Sequence, residues 1–265
     1  MQYDNSLHPI DLRYLSEVLS QAELKKDPFP YLIIDDFFPD DFYPSLLASI
    51  PPISQAAKVS DSISRITLVP DPYSDNEDWS YKALLTNTPD LYRFWHSFAE
   101  FLNSPSLIQQ LLEILEISYS NSYTMSARLA YDSKGSGLGP HRDREDKVAS
   151  FIFYLASPLT CSTEIDSGTE LLVPKVLRDS YSDQHYKFSE FRTVKTVHYM
   201  PNRLFAFAVK RGENGVHSFH GYRQTKQGTR MSIKFHIHKT VEKATISNMI
   251  TSTKKSSKDW ESENE

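Results

Sequence analysis

The segment Thr229-Arg230-Met231-Ser232-Ile233-Lys234-Phe235-His236-Ile237 decides the fold. Arg230, Ser232, Lys234 and His236 fall on one side of it, and Met231, Ile233, Phe235 and Ile237 on the other. A period of two belongs to an extended chain, whose successive side chains point to opposite faces. Upstream, short runs of this texture recur at Tyr123–Tyr131, Val148–Leu155, Glu170–Val173, Thr193–Tyr199 and Arg203–Val209, with turn residues between them. Short strands spaced in this way predict a sandwich or barrel. Before residue 121 the period differs. Residues 10–25 set Ile10, Leu12, Leu15, Val18, Leu19 and Ala22 at helical spacing, and Pro28 and Pro30 end the run. Asp40 is read as the cap of a helix through Leu47, and residues 89–117 carry two more helices, split near Asn103-Ser104-Pro105. Tyr31–Ile34 reads as a strand, and residues 51–80 read as loops around one strand at Arg65–Val69. Helices first and strands later predict a segregated α+β fold, not a doubly wound sheet.

The 265 residues suffice for one large domain, and with 39% hydrophobic and 12% aromatic residues they can build a core. We read residues 1–250 as a single domain and the polar, Ser- and Lys-rich residues 251–265 as a disordered tail. A net charge of -5 argues against a nucleic-acid partner. The single cysteine, Cys161, can form no intrachain disulfide, which fits a reducing compartment. Residues 1–20 hold no apolar block, and no run approaches the length of a membrane span. The expectation is a cytoplasmic protein without a membrane partner. The sequence sets no oligomeric state.

The chemistry lies in His141-Arg142-Asp143 and a distant Ser218-Phe219-His220-Gly221. In an extended segment His141 and Asp143 face the same way and can share an ion, while Arg142 points outward. Two histidines and one carboxylate form the facial triad of non-haem Fe(II), which leaves the opposite face open for a co-substrate and O2. An isolated His-x-Asp is weak; paired with a downstream histidine and then with Arg230-x-Ser232 at the right distance it is much stronger. His217 and His220 both compete for the third position. His220 is favoured because Gly221 leaves room beside a metal and because Arg230 follows ten residues later. Arg230 and Ser232 share the polar face of their strand and can reach one carboxylate, for which a guanidinium fork is suited. The bland alternative is a surface arginine. The combination points to 2-oxoglutarate as the co-substrate.

Further motifs carry a family resemblance. Tyr-Asp-Ser-Lys-Gly-Ser-Gly-Leu-Gly-Pro-His-Arg-Asp over residues 131–143 resembles the entry to the metal site in Fe(II)/2-oxoglutarate oxygenases of the prolyl-hydroxylase-like branch. Lys147–Leu155, Gly168–Pro174, Pro201–Phe207, Ser218–Gly221 and Pro28–Phe37 resemble further segments of a bacterial subset, so the likeness covers most of residues 28–238. The resemblance implies a double-stranded β-helix, a jelly-roll or cupin-like barrel with the N-terminal helices packed outside. It implies His141, Asp143 and His220 as iron ligands and Arg230, helped by Ser232, at the far carboxylate of 2-oxoglutarate. It implies the Tyr154 hydroxyl on that same carboxylate and the Tyr131 hydroxyl near the iron. It implies oxidation of an unactivated C–H bond, with release of succinate and CO2. Because Asp143 is present, hydroxylation is favoured over halogenation. Arg142 departs from the small residue frequent in the subset.

The first expectation is a hydroxylase of a small metabolite such as an amino acid. The alternatives are the same chemistry on a protein side chain or a sugar, and a non-catalytic barrel that binds a metal or ligand. His185, His198, His236 and His238 lack partners at ligand spacing and read as packing or surface residues. Residues 175–195 are long for a connection, and with residues 51–80 they are read as a substrate entrance that offers Arg178, Tyr181 and His185.

Overall fold

The structure is a computed structural model that describes residues 10–73, 80–84, 88–156, 168–178, 180–181 and 185–240. The expected tail at 251–265 and Cys161 lie outside these residues. Helix α1 (Leu12–Ser20) starts where the Asp11 carboxylate accepts the Arg13 amide at 2.8 Å. Helix α2 spans Phe42–Ala48. The residue at its N-cap is Asp41, not Asp40, and it makes no side-chain capping bond, so the expected cap is absent. Helices α3 (Pro89–Leu102) and α4 (Pro105–Ile114) each begin on proline, whose missing N–H costs nothing in a first turn.

Among the described residues, eleven strands follow from the alternating runs and the segments between them: β1 (Tyr31–Ile34), β2 (Ala57–Lys58), β3 (Ile63–Val69), β4 (Thr124–Ser133), β5 (Leu138–His141), β6 (Lys147–Leu155), β7 (Thr169–Pro174), β8 (Phe191–Val197), β9 (Pro201–Ala208), β10 (His220–Tyr222) and β11 (Thr229–His238). They form a seven-stranded sheet, β1-β9-β6-β11-β4-β3-β2, and a four-stranded sheet, β5-β10-β7-β8. The pairings between these strands are antiparallel.

The two faces of β11 divide the molecule. Ile233, Phe235 and Ile237 join Phe151 and Phe153 of β6, Leu129 of β4, Trp95 and Phe98 of α3, Leu111 of α4 and Leu15 of α1 in one apolar cluster. Phe235 stacks on Phe151 with ring centroids 4.7 Å apart. On the other face, Ile152, Tyr154, Phe205 and Phe207 of the larger sheet pack with Leu171 and Val197 of the smaller. The sheets therefore face each other, and the polar side chains of β11 point into the space between them.

Candidate metal centre

Strand pairing brings the distant histidines together. β5 and β10 run antiparallel with His141 and His220 as direct partners, and their rings lie 4.3 Å apart. Gly221 permits this approach, since a Cβ there would meet the Leu138 carbonyl oxygen at 2.7 Å. The glycine thus clears the backbone of β5, a different reason from the room beside a metal inferred from the sequence. Asp143 lies two residues beyond the end of β5. Ligand atoms of His141, Asp143 and His220 all fall within 4.8 Å of one another.

Each ligand is held by a partner of its own. His141 Nδ1 donates to the Gly139 carbonyl at 2.9 Å, and His220 Nδ1 to the Ser218 carbonyl at 3.0 Å. A carbonyl only accepts, so both Nδ1 atoms carry hydrogen and both Nε2 lone pairs stay available. Burial holds both imidazoles below their ordinary pKa, which keeps them neutral. Burial of Asp143 opposes its ionisation, but the Lys147 ammonium and the surrounding histidines outweigh it and hold the carboxyl well below the usual range. Lys147 Nζ donates to Asp143 Oδ1 at 2.7 Å, and Ser150 Oγ donates to Oδ2 at 2.5 Å. Ser150 Oγ accepts in turn from His236 Nδ1 at 2.9 Å. Two neutral imidazoles and a carboxylate, converging with their outer atoms tied down, fit a divalent first-row metal.

The same cavity, of about 170 Å³, is also lined by Arg230. Arg230 is 1% exposed and rings of three tyrosines surround it, with Cζ at 4.6 Å from the Tyr222 centroid, 5.1 Å from Tyr154 and 6.0 Å from Tyr199. Its Nη1 donates to Asp132 Oδ2 at 2.8 Å. This buried carboxylate was not anticipated as a partner. Arg230 Nε and Ser232 Oγ are buried without a hydrogen-bond partner. Such orphaned polar atoms are costly unless a ligand completes them, so they fit a carboxylate of a co-substrate.

The structure places the two expected tyrosines differently. Tyr154 stands in register with Ser232 and beside Arg230, but its hydroxyl donates to Thr169 Oγ1 at 2.7 Å. Tyr131 pairs with Met231, on the face of the sheet opposite Arg230, and its hydroxyl donates to the Pro51 carbonyl at 2.6 Å. The Tyr131 hydroxyl is therefore not near the metal group. It belongs to the apolar cluster beneath the sheet, where burial pushes its pKa up.

Other residues enter without having been promoted. His236 lines the cavity and reaches Asp143 through Ser150. His185 lies with its ring 5.0 Å from that of His141, and burial lowers its pKa to about 4. The Tyr186 amide, bonded to the Pro140 carbonyl at 2.8 Å, docks that segment on β5. The parity of Arg230 and His236 signals a shared face, whereas His185 was marked only by the length of the segment 175–195 that carries it. His217 is not in the metal group; it packs on Tyr181 at 4.9 Å and meets Arg142. Arg142 points away from the metal group and bonds the Tyr181 and Arg211 carbonyls. A second group, Asp71, Asp146 and His238, has ligand spacing too. Arg144 bridges its two carboxylates and His238 Nδ1 donates to Asp146 at 2.6 Å, so it is already a closed ion network.

Solved structures share this fold. An oxidoreductase of the 2OG-Fe(II) oxygenase family from Burkholderia pseudomallei superposes with a TM-score of 0.51 at 11% identity, over 78% of this chain and 84% of that one. A prolyl 4-hydroxylase from Phytophthora capsici superposes with a TM-score of 0.52 at 14% identity, over 95% of this chain and 77% of that one. At such identities the likeness is one of fold. No protein-family model matches the sequence, and no curated protein matches it. No helix among the described residues is long and apolar enough to cross a membrane.

Proposed function

We propose that the protein is an Fe(II)- and 2-oxoglutarate-dependent dioxygenase that hydroxylates an unactivated C–H bond of a small metabolite. In this reading the two sheets are the walls of a double-stranded β-helix, with α1 to α4 packed outside, and residues 1–250 are one domain. The observation that carries it is the convergence of His141, Asp143 and His220 within 4.8 Å, each with its outer atom fixed, in the cavity that also holds Arg230. His141, Asp143 and His220 would hold the iron. Arg230, with Ser232, would hold the far carboxylate of 2-oxoglutarate. Together, bound iron and 2-oxoglutarate supply the activation of O2, with succinate and CO2 as co-products. The chain supplies position and exclusion of water. Ser150 and Lys147 fix the rotation of Asp143, and Phe207, packed 4.6 Å from the His220 ring, covers that ligand with apolar surface. Tyr154 and Thr169 support the guanidinium of Arg230 from the side.

Anaerobic titration of the apoprotein with Fe(II) and 2-oxoglutarate tests this directly. The expected result is a visible charge-transfer band in the parent and in His217→Ala, lost in His220→Ala. Folded, iron-loaded parent protein without a band would refute the assignment and favour a metal-binding barrel.

A further inference from the structure

We infer that the substrate of this site carries an anionic group, a carboxylate or a phosphate, received by Lys234 and Arg65; the inference rests on the oxygenase reading above. The cavity wall holds five cationic side chains, Arg65, Arg128, Lys147, Arg230 and Lys234. Four of them stand on three adjacent strands. Arg128 of β4 is the direct partner of Lys234 on β11, and Arg65 of β3 pairs with Ala130, two residues along β4 from Arg128. Like charges this close, on a wall screened from water, persist only where anions offset them.

The offsets are incomplete. Lys147 meets Asp143 at 2.7 Å. Arg128 lies 3.6 Å from Asp71, and the neighbouring Arg144 is matched by Asp146 at 2.9 Å. Arg230 and Lys234 then divide one oxygen of Asp132, at 2.8 and 3.1 Å. Arg65 adds its field to the same carboxylate, and its Nε is buried without a hydrogen-bond partner. Three cations thus share Asp132, and among the described residues two positive charges of the wall have no carboxylate of their own. Fe(II) and the 2-oxoglutarate dianion carry equal and opposite charges, so loading the site leaves this excess in place. If the co-substrate takes Arg230, then Lys234 and Arg65 face whatever binds next. A neutral substrate would leave the two to divide the single charge of Asp132, whereas an anion satisfies both.

The test uses the full chain, anaerobic and loaded with Fe(II) and 2-oxoglutarate. Inorganic phosphate and acetate are the anionic probes and acetamide the neutral control, with binding read by calorimetry and by displacement of the chelate band. At least one anion is expected to bind tenfold or more tightly than acetamide. Phosphate alone, or acetate alone, assigns the group. Lys234→Gln and Arg65→Gln should each weaken that anion at least tenfold, with the affinity for 2-oxoglutarate changed less than threefold. Arg65 is half-buried, so its variant keeps the test sound if the Lys234 variant does not fold. Anions that bind no better than acetamide would overturn the inference. So would variants that lose 2-oxoglutarate instead, since the two cations would then serve the co-substrate. Absence of the chelate band in the parent would overturn the oxygenase reading itself.

Discussion

Replacing Ser150 by alanine isolates the support of one metal ligand from the ligand itself. Ser150 is 1% exposed on β6, and its hydroxyl is the link between His236 and Asp143, donating at 2.5 Å and accepting at 2.9 Å. Among the described residues, deleting it removes one of the two donors to the carboxylate and leaves Lys147, at 2.7 Å, on the other oxygen. A hydrogen bond to a charged group contributes about 1.5–3 kcal/mol, which corresponds to roughly tenfold to a hundredfold in an equilibrium constant. Loss of an outer partner of a metal ligand typically weakens the metal by about the same 10- to 100-fold. Ser150→Ala should therefore raise the Fe(II) dissociation constant into that range, measured by anaerobic competition titration against a chelator of known affinity. Ser150→Thr, which keeps the hydroxyl, should restore most of it. An Fe(II) affinity within twofold of the parent, in a variant that melts cooperatively, would refute the idea that Ser150 orients Asp143.

Asp143→Ala should abolish substrate oxidation with the fold retained, because it deletes a metal ligand; full hydroxylase activity would remove Asp143 from the centre. Arg230→Ala should raise the 2-oxoglutarate concentration required for succinate release by at least tenfold, since a buried carboxylate would lose its cation; an unchanged requirement would move the anchor elsewhere. Burial lowers the Lys234 ammonium to about pH 8 against the attraction of Asp132, with Arg230, Arg65 and the Tyr222 ring also facing it. The protonated form prevails below that value and is lost above it, so anion binding should weaken as pH rises through about 8. Lys234→Arg should flatten this dependence in calorimetry, and an identical slope in that variant would reject Lys234 as the titrating group. Gly221→Ala would press a methyl group into the Leu138 carbonyl at 2.7 Å, and β10 must move off β5 to relieve it. Fe(II) affinity should fall at least tenfold, and an unaffected centre would show that the pairing tolerates the displacement.

Long strands were legible because each alternates against a core. Thr229–His238 shows its two faces in the bare sequence, and β4, β6 and β9 share that texture. β5 and β10 were not legible as strands. They have four and three residues, include glycine in both and proline in one, and exist through long-range pairing. Their residues drew notice through metal-ligand spacing and through the family resemblance. Tyr131 shows the limit of position alone. Its place in the string suggested a hydroxyl by the iron, yet the pairing of Asp132 with Arg230 turns its neighbour Tyr131 to the opposite face. Parity along one strand is written in the sequence, whereas register against the next strand is not. Asp132 stayed hidden for that reason, since nothing local links it to a residue 98 positions away.

The division of labour between the sheets explains why the triad was easier to read than the charges around it. The smaller sheet supplies His141 and His220 as direct partners on neighbouring strands, and metal binding demands a narrow choice of side chains there. The larger sheet supplies Arg230, Lys234, Arg128 and Arg65, where several residue types satisfy an alternating polar face. One strand read alone makes Lys234 an ordinary polar residue on a half-buried surface. Only three strands laid side by side reveal a cluster of cations around a single buried Asp132. Metal ligands are thus recognised by identity and spacing, while the selectivity of such a site is a sum of charges assembled across strands. That sum is where this protein differs from a bare iron site, and it makes the anion, not the metal, the informative unknown.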